Sequence, residues 1–184
     1  TVNFRCTAQE SVNGMEIVNT AQAYADNAQK VKDSSKIWVN SPVLKVEKTT
    51  DKPFYKYGDI ITYRIVLTQE HTGCVARNVT LQDVIDTQGV RLLKDSVILV
   101  DEKGNVADAD VQINDDNTFL MSTGRTLVRD SRYSICDNDK GGLFEQVMYN
   151  PLDCQEQKSM IVEYQAAVID AALAGQKVHN TAVA

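Results

Sequence analysis

IITYRIVLT, residues 60–68, places Ile61, Tyr63, Ile65 and Leu67 on one side of an extended chain and Thr62, Arg64 and Val66 on the other. Successive side chains of a β-strand point to opposite faces, so this stretch reads as a half-buried strand. The same period recurs in NVTLQDVI, residues 78–85, where Val79, Leu81, Asp83 and Ile85 share a face. Residues 43–49 also alternate. Further strands are expected at 96–100, 111–113, 119–121, 127–128, 160–168 and 177–183, with DEKGN at 101–105 as a turn. The best helical stretch, 22–30, is too polar to hold a packed helix. Many short strands separated by turns predict an all-β fold, an immunoglobulin-like β-sandwich.

The chain has 184 residues, 43% of them hydrophobic, enough for one full domain and part of another. A net charge of −6 argues against a nucleic-acid or anionic-membrane partner, which would favour a basic patch. No apolar run approaches the roughly 18 residues of a membrane span. No signal peptide opens the chain, so either a cytosolic protein or a fragment of an exported one is expected, and the missing initial Met favours the fragment.

The cysteines are Cys6, Cys74, Cys136 and Cys154, with no CxxC pair, and the histidines are His71 and His179. That is too sparse for a zinc site, so neither a metal nor another cofactor is expected. Three disulfide connectivities are open to four cysteines. Cys136 and Cys154 bracket a polar loop and form the favoured bridge, a Cys6–Cys74 bridge is a further candidate, and the sequence does not choose the connectivity. Free, buried thiols are the alternative.

A repeat joins the two ends of the chain. GMEIVNTAQA, residues 14–23, and GQKVHNTAVA, residues 175–184, both read G-x-x-[Ile/Val]-x-N-T-A-x-A. Upstream, VNFRCTA echoes VEYQAAV with one residue of slippage. Self-similarity of this kind signals tandem domains. Residues 1–41 are therefore expected to hold the last strands of a preceding repeat plus a polar connector with a short strand at 36–39. Residues 42–184 are expected to be a complete repeat. Orphan strands at the amino end would expose unpaired edges, so they either belong to a longer array or complete a neighbouring copy.

Three inward positions break the apolar pattern: Lys48 on the face of Leu44 and Val46, Asp83 beside Leu81, and Asn180 between Val178 and Ala182. A buried lysine tends toward its neutral, nucleophilic form and a buried carboxyl toward its protonated form. Such an acid can polarise the Asn180 carbonyl and carry protons while the amine attacks. The product is an amide between Lys48 Nζ and Asn180 Cγ, with release of ammonia. The reaction occurs once, so it is self-modification and not enzymatic turnover. The plainer alternative is a buried Lys48–Asp83 ion pair with Asn180 hydrogen-bonded nearby.

Taken in order, Lys48-Thr49, YKYGDIITYRIVLTQ (55–69), ARNVTLQDVID (76–86), the late VEY (162–164) and HNTAVA resemble the isopeptide-forming fimbrial and adhesin repeats of Gram-positive surface proteins, close to the DUF11 type. The resemblance covers residues from about 42 to 184. It implies an immunoglobulin-like sandwich, export to the cell surface or cell wall, and a Lys48–Asn180 crosslink with Asp83 as the acidic helper. Four cysteines, and an insertion at residues 137–153, depart from the family pattern.

Two functions follow. One is a stalk or fibre repeat tied by the crosslink, assembling with neighbouring copies by strand complementation or head to tail. The other is an adhesin module whose inserted loop, with Phe144, Met148 and Tyr149, contacts a ligand without any crosslink. No Ser-His-Asp order or Gly-rich phosphate loop suggests an enzyme. DNDKG at 137–141 opens like a calcium loop but lacks that motif's closing glutamate.

Overall fold

The computed structural model describes residues 2–7, 9–12, 14–39, 41–71, 74–129 and 156–184. Fifteen strands are found among them. They are β1 Met15–Ala25, β2 Ala28–Val39, β3 Leu44–Thr50, β4 Ile60–Gln69, β5 Val75–Ala76, β6 Thr80–Val84, β7 Val90–Leu92 and β8 Ile98–Val100. There follow β9 Val106–Ala107, β10 Asp110–Ile113, β11 Thr118–Ser122, β12 Thr126–Val128, β13 Glu156–Gln157, β14 Ser159–Val168 and β15 Thr181–Val183.

Two antiparallel sheets pack face to face. The larger has the order β3-β4-β14-β8-β9, with β7 also on β14, and the smaller runs β10-β11-β6-β15. A three-stranded strip, β13-β12-β5, closes one flank. This is the immunoglobulin-like sandwich that the alternation predicts. Ile61, Tyr63, Ile65 and Leu67 of β4 are all buried, as are Leu81 and Asp83 of β6 and Met160, Val162, Tyr164 and Ala166 of β14. Phe119 and Met121 of β11 meet them from the second sheet in a single core. Burying such side chains contributes about 1.5–3 kcal/mol each.

Two buried or turn polar side chains near this core are well paired. Gln69 is 3% exposed, and its amide nitrogen donates to the carbonyls of His71 (2.6 Å) and Cys74 (2.9 Å). Its carbonyl oxygen accepts from the His71 N–H. Asn117, in the turn between β10 and β11, has a left-handed backbone (φ 64°). Its side chain accepts from Leu92 N–H and donates to the Val90 carbonyl, both at 3.0 Å, so a turn of one sheet is fastened to a strand of the other.

Chain order places β3, the first strand of the sandwich, at the edge of the larger sheet and β15, the last, at the edge of the smaller. β15 pairs only with β6, in the register Thr181↔Val84, Ala182↔Asp83 and Val183↔Gln82.

Several expectations change. The polar stretch after residue 25 is no connector with a brief strand. It is a second long strand, because β1 and β2 form an antiparallel hairpin from Met15↔Val39 to Ala25↔Ala28. Most of its cross-strand pairs match residues more than ten apart in the sequence, which alternation within one short stretch does not register. The closing strand is shorter than the 177–183 expected, since residues 175–180 approach it without ladder pairing.

The Cys6–Cys74 pair is corrected: both thiols are free. Cys6 lies exposed in the leading segment, while the Cys74 sulfur is held by the Gln69 amide at 3.2 Å. Burial raises the Cys74 pKa, which keeps it a protonated, unreactive thiol. Cys136, Cys154, Phe144, Met148, Tyr149 and the 137–141 calcium-like motif lie outside the described residues. Among the described residues no three His, Cys, Asp or Glu side chains group as metal ligands. No helix there is long and apolar enough to cross a membrane.

Candidate functional site: a lysine, a carboxyl and an amide between the sheets

Alternation in β3 turns Leu44, Val46 and Lys48 inward together. From the opposing sheet, β6 turns Leu81 and Asp83 into the same interior. Asp83 is 0% exposed and the Lys48 side chain only 15%, so both lie in a nearly dry space. Lys48 Nζ donates to Asp83 Oδ2. The other carboxyl oxygen, Oδ1, accepts from the Tyr164 hydroxyl at 2.8 Å. That hydroxyl in turn accepts from Asn180 Nδ2 at 2.6 Å. Lys48, Asp83, Tyr164 and Asn180 are thus joined in one chain of hydrogen bonds, drawn from β3, β6, β14 and the approach to β15.

Aromatic rings wall this site. Tyr63 stacks on Tyr164 with centroids 4.9 Å apart, and Phe119 meets Tyr164 edge-on at 5.1 Å. Lys48 Nζ sits 5.0 Å from the Tyr63 centroid and 5.5 Å from that of Tyr164. Ring faces favour the ammonium form by about 0.5–2 kcal/mol. Burial opposes this and wins, pulling the Lys48 pKa below its ordinary value against the attraction of Asp83. Burial also raises the Asp83 pKa, although Lys48, Tyr164 and Asn180 all pull it back down. The Tyr164 hydroxyl is pushed far up, first by burial and then by the neighbouring carboxylate, so it remains a proton donor. Both directions in the Lys48–Asp83 pair favour moving the shared proton from nitrogen to oxygen.

One polar atom has no partner. Asn180 Oδ1 is buried and accepts no hydrogen bond, although its Nδ2 is engaged. An orphaned buried acceptor costs about 1–3 kcal/mol. A cleft of about 1090 Å³ opens beside Lys48 and Asn180, passing Tyr55, Tyr63 and Val178 toward solvent.

The three residues singled out by periodicity therefore meet. Tyr164 and Tyr63 do not stand out in the sequence as site residues. The inward position of Tyr63 was legible and Tyr164 fell within an expected strand, but a tyrosine there is ordinary core until its hydroxyl is seen to lie between two other polar groups.

No family model matches the chain, and no curated protein does either. Among solved structures it is similar to the collagen-binding domain from a Staphylococcus aureus adhesin, at 13% identity and a TM-score of 0.43 over 74% of this chain and 81% of that one. It is also similar to the group B streptococcus pilus 2b backbone protein, at 17% identity and a TM-score of 0.35, over 66% of this chain and 43% of that one. A third is the RrgB pilus protein from Streptococcus pneumoniae, at 12% identity and a TM-score of 0.39, over 88% of this chain and 26% of that one. The chain spans well under two thirds of either pilus protein.

Proposed function

We propose that this chain is a structural repeat of an exported cell-surface stalk or fibre, stabilised by a self-formed amide between Lys48 and Asn180. The supporting observation is the convergence of a lysine nitrogen, a buried carboxyl and an amide with an unpartnered carbonyl oxygen in one dry, aromatic-walled space.

Each group has a role in the reaction. Asp83 takes the proton that Lys48 releases, leaving a neutral amine. The protonated carboxyl then offers a hydrogen bond to Asn180 Oδ1, drawing electron density from Cγ. Lys48 Nζ attacks Cγ, and the C–Nδ2 bond breaks as Asp83 delivers its proton to the leaving nitrogen and takes the second proton from Nζ. A lysine amine and an asparagine amide become one secondary amide and one ammonia, which the cleft releases to solvent. Tyr164 orients both ends of this relay. Packing substitutes for a high concentration of reactants and can lower the barrier by roughly 7–11 kcal/mol.

An ion pair alone explains less. A charged Asp83 has no proton to give Asn180 Oδ1, and two charges out of water offset much of their own attraction. The mechanical benefit follows from topology. Lys48 is on the first strand of the sandwich and Asn180 abuts the last, on different sheets. A bond there lets tension cross the repeat without loading most of the ladder. Intact-mass spectrometry tests the reading directly. The wild type should be one ammonia lighter than its sequence, and Lys48→Ala or Asn180→Ala should restore the full mass. A wild type at full mass ends the crosslink claim.

A further inference from the structure

We infer that β1 is a second closing strand, shaped to seat against the β6 edge of another copy of this sandwich, and that Asn19 is its crosslinking side chain. The inference rests on the Lys48–Asn180 reading and extends it to a second asparagine.

Three observations carry it. The first is sequence register. GMEIVNTAQA aligns Ile17, Asn19, Ala21 and Ala23 with Val178, Asn180, Ala182 and Ala184, the series that includes the half-buried Asn180 and Ala182. The second is backbone geometry. Gly14 and Gly175, which open the two segments, both have left-handed backbones, with φ of 77° and 78°. Both segments thus open on a glycine in a conformation where other residues are strained.

The third is an uncovered face. Directly opposed residues of a hairpin share a face. In the β1–β2 hairpin, Met15↔Val39, Ile17↔Ile37 and Ala23↔Val31 lie on the same face as Asn19↔Ser35. The opposite face carries Lys30, Lys32 and the Glu16–Lys36 ion pair, together with the exposed Val18 and Trp38. Met15, Val31, Ile37 and Asn19 of the first face remain exposed, as an uncovered sheet face leaves them. Its own chain supplies no cover, because β15 already occupies the β6 edge.

The matching sequence identifies what would cover it. Seated as β15 is, β1 would pair Thr20, Ala21 and Gln22 with Val84, Asp83 and Gln82 of the second copy, which brings Asn19 to the position of Asn180. Lys48 Nζ of that copy would then form a bond to Asn19 Cγ. The Cγ–Nδ2 bond would break, and Asp83 would pass the amine proton to the departing ammonia. The second copy must first release its own β15 from that edge with its Lys48 not yet bonded to Asn180, so β1 and β15 compete for one seat and one lysine.

Two full-length variants test this. In the first, the closing segment is rewritten to the β1 sequence by Gln176→Met, Lys177→Glu, Val178→Ile, His179→Val and Val183→Gln. If β1 is a closing strand, this chain folds and is one ammonia lighter, like the wild type. In the second, Asn180→Ala protein is concentrated and run on a denaturing, reducing gel. Dimers and longer species are expected, with a Lys48–Asn19 linkage in the peptide map, and they should vanish in the Asn19→Ala/Asn180→Ala double variant. The inference is overturned if the rewritten chain fails to fold or folds without the bond. It is equally overturned if Asn180→Ala stays monomeric or links through another residue. A wild type at full mass would instead overturn the Lys48–Asn180 reading itself, so the two failures are distinguishable.

Discussion

Tyr164 is the residue on which the site's geometry depends most. It donates to Asp83 and accepts from Asn180, so Tyr164→Phe leaves one carboxyl oxygen and one amide nitrogen without partners. We expect bond formation to slow markedly, with a stability loss of about 1–3 kcal/mol in any molecules that remain uncrosslinked. Time-resolved mass spectrometry of refolding chain reads the first effect and chemical denaturation the second. The reaction should also depend on pH in a particular way. Burial raises the Asp83 pKa and lowers that of Lys48, so the pair can pass one proton internally without exchanging it with solvent. The reactive form, amine plus carboxylic acid, holds as many protons as the ion pair. The rate should therefore be flat across the window where the pair holds that one shared proton. It should fall in acid, when the amine regains its proton while the carboxyl keeps one. It should fall again in alkali, when the carboxyl loses its proton. A rate that climbs steadily with pH would mean that Lys48 acts without Asp83.

At the scale of elements, the entry to β7 is a point of close approach. Gly89 has φ of 83°, and a Cβ there would lie 2.6 Å from Asp170 Cβ and 3.0 Å from Leu173 Cδ1. Asp170 caps the turn over Ala171–Leu173, its carboxyl accepting from Ala172 N–H at 2.8 Å. This turn leads into the segment that carries Asn180. Gly89→Ala should destabilise the fold by about 2–5 kcal/mol, combining backbone strain with overpacking. The midpoint of urea unfolding measures it, and an unchanged midpoint would mean that the turn yields freely. Strand alternation was readable in β3, β4, β6 and β14, because each has one face in water and one in the core. The β1–β2 hairpin was not readable in the same way. Its charged face looked like a linker, and its apolar face has no core in this chain to match.

For the whole molecule, the proposed crosslink would close a loop of more than about 100 residues, which would restrict the unfolded chain by about 4–5 kcal/mol. For a domain of this size each kcal/mol moves the melting temperature by about 2–4 °C. Lys48→Ala should therefore melt about 8–20 °C below the wild type, and reducing agent should leave the gap unchanged. A gap that closes under reduction would assign the stability to a disulfide instead. Lys48 and Asn180 lie where the first and last strands of the sandwich approach each other across the two sheets. A bond between them would resist the separation of the sheets, which a link within one sheet would not do.

Sequence alone determined the all-β class, the inward faces of the long strands, and the three polar residues that interrupt those faces. Each of these is a local matter, since a period of two needs only the strand's own neighbours to be visible. The tertiary structure alone decided that Lys48, Asp83 and Asn180 share one space, that Tyr164 bridges two of them, and that Asn180 Oδ1 has no partner. It also decided that β1 has a long partner strand and that Cys6 and Cys74 stay apart. These facts depend on which strands become neighbours across the sandwich, and that follows from packing the whole core at once.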